Sequence, residues 1–288
     1  MITDYDGGEG IIKPEMSFSF SGVKSDVCLI IFSHEIYEHI LSTFECTSSG
    51  FMTNANGRIE IFTFSYSGRR IAFYLSYISS ACASFMMEES HVITGADRYI
   101  VFGSCGVLGS AAKGKFIVPT YAYRDEGMSY HYLEPSDYVE MRNHSVVSEF
   151  FRKNRIPYIE GRTWTTDAFY RETKNKMEKR KAEGCIAVEM ECAGLEAVSR
   201  FYGIELYAFL VPATRSRQTS VGRRRTSPVP TTHSTSSTLH CSLQSHCVNL
   251  PLSSGENIES IYCNVQELRH EYSRRHHAQN RKPYKMLW

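Results

Sequence analysis

Two carboxylates, Glu189 and Glu191, stand inside the run Gly184 to Leu195, where Ile186, Val188 and Met190 are apolar. After Cys192 the period changes. Leu195, Val198 and Tyr202 recur at three- and four-residue steps, which reads as a helix. Both glutamates therefore fall where a buried strand gives way to a helix. Burying a carboxylate there is costly unless something pairs with it. An ionised carboxylate is a pure acceptor, and ligand hydroxyls are suitable partners. The alternative is a solvated pair, or one matched by nearby Lys and Arg. A second candidate is Gly103-Ser104-Cys105-Gly106, which follows an apolar strand. Read as a glycine loop, its backbone N–H groups and the Ser104 hydroxyl form an anion nest. The alternative is an ordinary glycine turn.

These segments resemble the nucleoside phosphorylase family, which includes uridine and purine nucleoside phosphorylases and related nucleosidases. Val188 to Glu191 followed by small residues resembles its ribose-binding segment. Val101 to Leu108, Tyr123 to Tyr132 and Thr163 to Thr173 agree with it in order and spacing. The resemblance runs from about Val27 to Leu210. It implies ribose binding by Glu189, Met190 and Glu191, with Glu191 and the Met190 backbone on the 2′ and 3′ hydroxyls. It implies phosphate binding by Gly103 and Ser104, and a base site at Cys105, Gly106, Phe169, Tyr170 and Arg171. Phe169 matches the aromatic position that stacks on the base, while core packing is its alternative reading. Glu172 offers a further hydrogen bond. Asp125 and His131 belong to a segment of the family without an assigned role, and His91 and His144 read as surface residues.

The chain also departs from the family. Val101 stands where aligned phosphorylases carry an Arg. Phe32 to Glu35 replaces the Gly-Asp-Pro-x-Arg phosphate loop, so Arg124 becomes the candidate phosphate cation. Thr173 and Asn175 stand where uridine phosphorylases carry a Gln-x-Arg pair. The slot of the family's acid falls near Thr214, and no acid follows until Glu256. A threonine hydroxyl is no general acid near neutral pH, so no catalytic residue is assigned and weak, slow turnover is expected.

The elements that position these residues read as α/β. Val27 to Phe32 is a buried strand and His34 to Phe44 a helix. Arg58 to Tyr66 and Arg69 to Tyr77 form a hairpin about Ser67-Gly68. Ser79 to Glu89 is a helix, Tyr99 to Phe102 and Phe116 to Val118 are strands, and Pro135 opens a loop and short helix. Ser145 to Asn154 is helical and Tyr158 to Thr166 extended. Asp167 caps a helix running to about Ala182, and Glu205 to Val211 is the last strand. Alternating strands and helices with an early hairpin argue for a mixed sheet. The resemblance implies the same architecture, helices on both faces, assembled as a dimer or hexamer.

The 288 residues, 42% of them hydrophobic, suffice for a substantial core. No apolar run reaches the roughly 18 residues of a membrane span. The opening residues lack a secretory pattern, and nine scattered cysteines suggest reduced thiols and a cytoplasmic protein. The net charge of +1 hides an asymmetry. Residues 211–288 carry eleven Lys and Arg against four acids, or +7, leaving −6 in residues 1–210. Three segments follow: an arm at 1–26, a phosphorylase-like domain at 27–211, and a basic Ser/Thr-rich tail at 212–288. The tail reads as a lost coding frame or as genuine disorder. His240, Cys241, His246 and Cys247 lack the spacing of common zinc sites, and no metal is expected. Arg223 to Arg225 reads as a solvated basic run, so no nucleic-acid partner is expected.

The activity implied is phosphorolysis: a nucleoside and inorganic phosphate give a free base and ribose 1-phosphate, without a cofactor. Its rivals are hydrolysis by water and a catalytically impaired nucleoside-binding remnant.

Overall fold

The computed structural model describes residues 5–55, 57–112 and 115–213. The tail from residue 214 onward, with Thr214, the His/Cys pairs and the Arg223 to Arg225 run, lies outside the described residues. Ten strands form one mixed sheet, with helices packed against it. In chain order the elements are β1 (Val27–Ile31), α1 (His34–Thr43), β2 (Thr47–Asn54), β3 (Gly57–Tyr66), β4 (Arg69–Leu75), α2 (Ser80–Thr94), β5 (Arg98–Val107), β6 (Phe116–Asp125), β7 (Tyr138–Glu140), α3 (His144–Lys153), β8 (Tyr158–Thr166), α4 (Lys174–Ala182), β9 (Cys185–Glu189), α5 (Cys192–Phe201) and β10 (Glu205–Pro212). The α/β class with a mixed sheet is as the sequence predicts.

The pairing has two parts. β5, β10, β6, β8 and β9 close a ring, because β10 pairs with β5 as well as with β6. From β5 a wing continues through β1, β4, β3 and β2. β1 runs parallel to both β4 and β5 and is buried along its whole length. A strand covered on both faces is continuously apolar, and Val27-Cys-Leu-Ile-Ile31 is such a run. The β3–β4 hairpin turns at Ser67 (φ 49°) and Gly68 (φ 74°). Two positive φ values make the primed turn whose twist matches paired strands.

α2 and α5 pack on each other, α2 against β1 and β2 of the wing and α5 against β6 and β10 of the ring. Their contact depends on Gly194, where a Cβ would stand 2.0 Å from Ser80 Oγ. α5 is further pinned by Glu196, which is 1% exposed and receives the Nε groups of Arg142 (2.8 Å) and Arg200 (2.9 Å). Two guanidiniums offset the cost of burying that charge.

Several expectations are corrected. Gly103 to Val107 is not a loop but the second half of β5. Gly106 pairs with Val188, and a Cβ there would come within 2.7 Å of Val188 Cγ1. The glycine thus permits close strand approach rather than a turn. β6 continues to Asp125, and β7 occupies the region read as a short helix after Pro135. Thr173, not Asp167, caps α4, and a 3₁₀ turn at Phe169–Arg171 intervenes. β2, mostly exposed and rich in Thr and Ser, is an edge strand without the apolar alternation that marks strands in sequence. His91 and His144 are half-buried, not fully at the surface.

Candidate active site

Strand register alone converges the candidate residues. Gly106 of β5 faces Val188 of β9, Ser104 faces Val211 of β10, and Thr165 of β8 faces Glu189. The ends of these strands form one edge of the ring. Ligands of α/β sheets bind outside the carboxyl ends of strands.

The two glutamates take different roles there. Glu189 is 4% exposed. Its Oε2 accepts from the backbone N–H of Glu191 (2.7 Å) and of Cys192 (2.7 Å), capping the first turn of α5. Its Oε1 accepts from the hydroxyls of Thr165 and, at 3.4 Å, Thr163. Burial pushes this carboxyl up, while the Thr165 hydroxyl and the two N–H donors pull it down. Glu189 is thereby committed to the protein rather than to a ribose.

Glu191 is half-buried and less engaged. Oε1 accepts from the Ser79 N–H at 2.8 Å, and Oε2 receives a longer bond, 3.3 Å, from the Met190 N–H. Desolvation first, then the neighbouring Glu189, push its carboxyl up to about 7. Such a group gains from hydroxyl donors. Ser79 holds its own N–H toward Glu191 at φ 101° and ψ 150°, a rare conformation outside glycine. Strain of this kind concentrates where a backbone group must point at a functional partner. Met190, also half-buried, lies between the two acids.

Strand alternation sorts the β5 candidates. Ser104 and Gly106 are exposed, whereas the Cys105 side chain turns into the core, 3% exposed, with its thiol pushed up to about 12 by burial. Only its backbone remains at the edge, and its carbonyl accepts from Ala213 N–H at 2.9 Å. Val101 is buried in the core.

Arg124 is drawn elsewhere. It is 3% exposed. Its Nε donates to Ser129 Oγ (2.7 Å). Its terminal nitrogens donate to Ser136 Oγ (2.9 Å) and to the carbonyls of Glu134 (2.7 Å) and Leu133 (3.2 Å). The guanidinium also lies 4.0 Å over the Tyr130 ring. Its donors are directed into the 129–136 segment, which makes it a strut rather than an anion ligand. His131 closes the 3₁₀ turn of that segment and is exposed.

The 3₁₀ turn after β8 carries Phe169, 45% exposed, and Tyr170, 94% exposed, their rings edge-to-face at 5.2 Å. Arg171 is exposed, and Asn175 lies on the open side of α4. This turn is not part of the core, so the packing alternative for Phe169 does not hold.

The sequence profile of the phosphorylase superfamily matches residues 26–215, more than half of the chain. The chain belongs to the phosphorylase superfamily. Similar proteins include two DeoD-type purine nucleoside phosphorylases. The one from Aliivibrio fischeri is 27% identical over 148 residues, 50% of this chain and 62% of its own length. The one from Colwellia psychrerythraea is 26% identical over 170 residues, 58% of this chain and 71% of its own length. The match thus spans less than two thirds of the Aliivibrio protein. In fold, the chain is similar to an AMP nucleosidase from Bacteroides thetaiotaomicron, with a TM-score of 0.55 at 18% identity, covering 68% of this chain and 83% of that one. Sequence reading missed Ser79, Thr163 and Thr165. Thr163 and Thr165 are legible in hindsight as one face of an alternating strand, but no sequence pattern announces the positive φ of Ser79.

Proposed function

We propose that the domain cleaves the N-glycosidic bond of a ribonucleoside, with phosphate as acceptor, to give a free base and ribose 1-phosphate. The observation that carries this reading is the Glu191 carboxylate: desolvated, positioned by Ser79 N–H at 2.8 Å, and with acceptor capacity to spare. Ribose 2′ and 3′ hydroxyls are the donors it suits. Ser104, exposed in the last residues of β5, is the hydroxyl that this reading gives to the acceptor. The transition state is oxocarbenium-like, so placement and electrostatics supply most of the rate. Phe169 offers its ring to the base. The names of the DeoD-type relatives favour a purine. This chemistry calls for nucleoside and phosphate alone, without a cofactor. A homo-oligomer, dimer or hexamer, goes with the reading. The six cysteines among the described residues are all free, which suits a reducing compartment such as the cytoplasm. No helix among the described residues is long and apolar enough to cross a membrane.

Hydrolysis is the second reading, and one observation favours it. Arg124 is spent inside the protein and Val101 lies in the core, so neither supplies a cation for phosphate. The deciding measurement is hypoxanthine release from inosine by the full chain, with and without phosphate. Phosphorolysis expects at least tenfold faster release with phosphate and formation of ribose 1-phosphate. Equal rates with and without phosphate assign hydrolysis. Inosine binding without release assigns an impaired remnant.

A further inference from the structure

Asp125 ends β6, and β6 aligns with β8 so that Asp125 faces Thr166. Adjacent residues of a strand point to opposite faces. Arg124 accordingly braces the 129–136 segment, and Asp125 turns to the other side. There a single oxygen, Oδ2, gathers three donors: the Trp164 indole N–H (3.0 Å), the Thr166 hydroxyl (3.3 Å) and the Lys176 ammonium (3.0 Å). The backbone adds to this. Asp125 carbonyl accepts from Asp167 N–H at 3.2 Å, and Asp167 Oδ2 accepts from Gly127 N–H at 3.0 Å. Lys176 also lies 5.9 Å from the ring centre of Trp164, itself 1% exposed.

These contacts fall on both sides of one segment. Trp164, Thr166 and Asp167 precede the Phe169–Arg171 turn, and Lys176 follows it on α4. Between the anchors the turn is closed by short-range bonds, Ala168 N–H to Thr166 Oγ1 at 3.3 Å and Arg171 N–H to Ala168 carbonyl at 2.7 Å. An exposed turn with so little packing takes its position from its ends.

We propose that Asp125 is a positioning residue for the base: one carboxylate that ties both ends of the 167–173 turn and so fixes where Phe169 stands. The clamp stands on the geometry alone. That a nucleobase stacks on Phe169 rests on the proposed function.

The test uses the full 288-residue chain as wild type, Asp125→Asn and Lys176→Gln. Asparagine keeps an acceptor for the indole and the hydroxyl but loses the ion pair. Lys176 is half exposed, so its loss spares the core. Amide hydrogen exchange across 167–173 is expected to rise at least tenfold in both variants, while α5 stays within twofold. The Kd for inosine is expected to rise about threefold in both, less than removal of the Phe169 ring itself would cost. If exchange across 167–173 is unchanged in both variants, the clamp is wrong whatever inosine does. Faster exchange with an unchanged inosine Kd overturns the positioning role. Should Asp125→Asn loosen α5 as well, Lys176→Gln decides. Failure of inosine to bind wild type strikes the proposed function, and the exchange measurement then decides the clamp by itself.

Discussion

The junction from β9 to α5 and the turn after β8 meet at the same edge of the ring and are built in opposite ways. At the junction, Glu189 is enclosed by hydroxyls and N–H groups from β8 and α5, and Glu191 is aimed by the strained Ser79. The turn leaves its aromatic rings exposed and takes its anchorage from Asp125. A sugar presents fixed hydroxyls, which reward a rigid acceptor. A base presents a flat face, and stacking tolerates small displacements. The contrast predicts that damage at the junction costs folding or ribose recognition steeply, whereas damage in the turn costs base affinity mildly.

The largest effect is expected at Glu189. Glu189→Ala leaves the N–H groups of Glu191 and Cys192 and the Thr165 hydroxyl without their shared acceptor, while Thr163 keeps the Ala187 carbonyl at 3.4 Å. Unsatisfied buried donors of this number should lower stability by about 3–5 kcal/mol, read by urea unfolding. A loss under about 1 kcal/mol would remove the distinction between the two acids.

Glu191 comes next, with the loss in binding instead. Glu191→Gln should weaken ribonucleosides by about 2–4 kcal/mol and leave 2′,3′-dideoxynucleosides and the unfolding midpoint little changed. Its acidity adds a pH signature. Hydroxyl donors favour the ionised carboxylate, so ribonucleoside affinity should be full above pH 7. It should fall as protonation proceeds below about 7, approaching tenfold per pH unit. The glutamine variant should show a flat profile. Titration calorimetry at several pH values measures both, and a wild-type profile flat from pH 5 to 8 would exclude Glu191 from the ribose site.

Phe169→Ala is the smallest. Loss of one stacking face should weaken purine nucleosides by about 1 kcal/mol, roughly fivefold, with no change in melting temperature because the ring is half exposed. A clear drop in stability would make the turn structural and erase the comparison from the other side.

Much of the junction was legible in sequence. Apolar Ile186, Val188 and Met190 followed by three- and four-residue steps in α5 locate Glu189 and Glu191 at a strand end. What was illegible is which of the two acids is free, because that depends on Thr165, 24 residues away, and on Ser79, 112 residues away. Gly106 misled for a related reason. A glycine that opens a turn and one that lets two strands approach look the same until Val188 is placed opposite. Arg124 displayed a charge in sequence but not its partners, which are mostly backbone carbonyls and serine hydroxyls nearby. β2 escaped notice because an exposed edge strand need not alternate.

The closure of the ring has a consequence for how the chain comes off the ribosome. β10 pairs with β5, more than 100 residues earlier, along its whole length, from Glu205↔Arg98 to Pro212↔Cys105. It also reaches β6 on its other side at Leu210↔Ile117. Until Glu205 to Pro212 has emerged, the long β5 and β6 strands expose unpaired flanks, and nascent chains with open flanks invite association with one another. A non-local pairing formed last is also slow to find. Synthesis that pauses before residue 205 is therefore the moment at which a holding chaperone has most to cover.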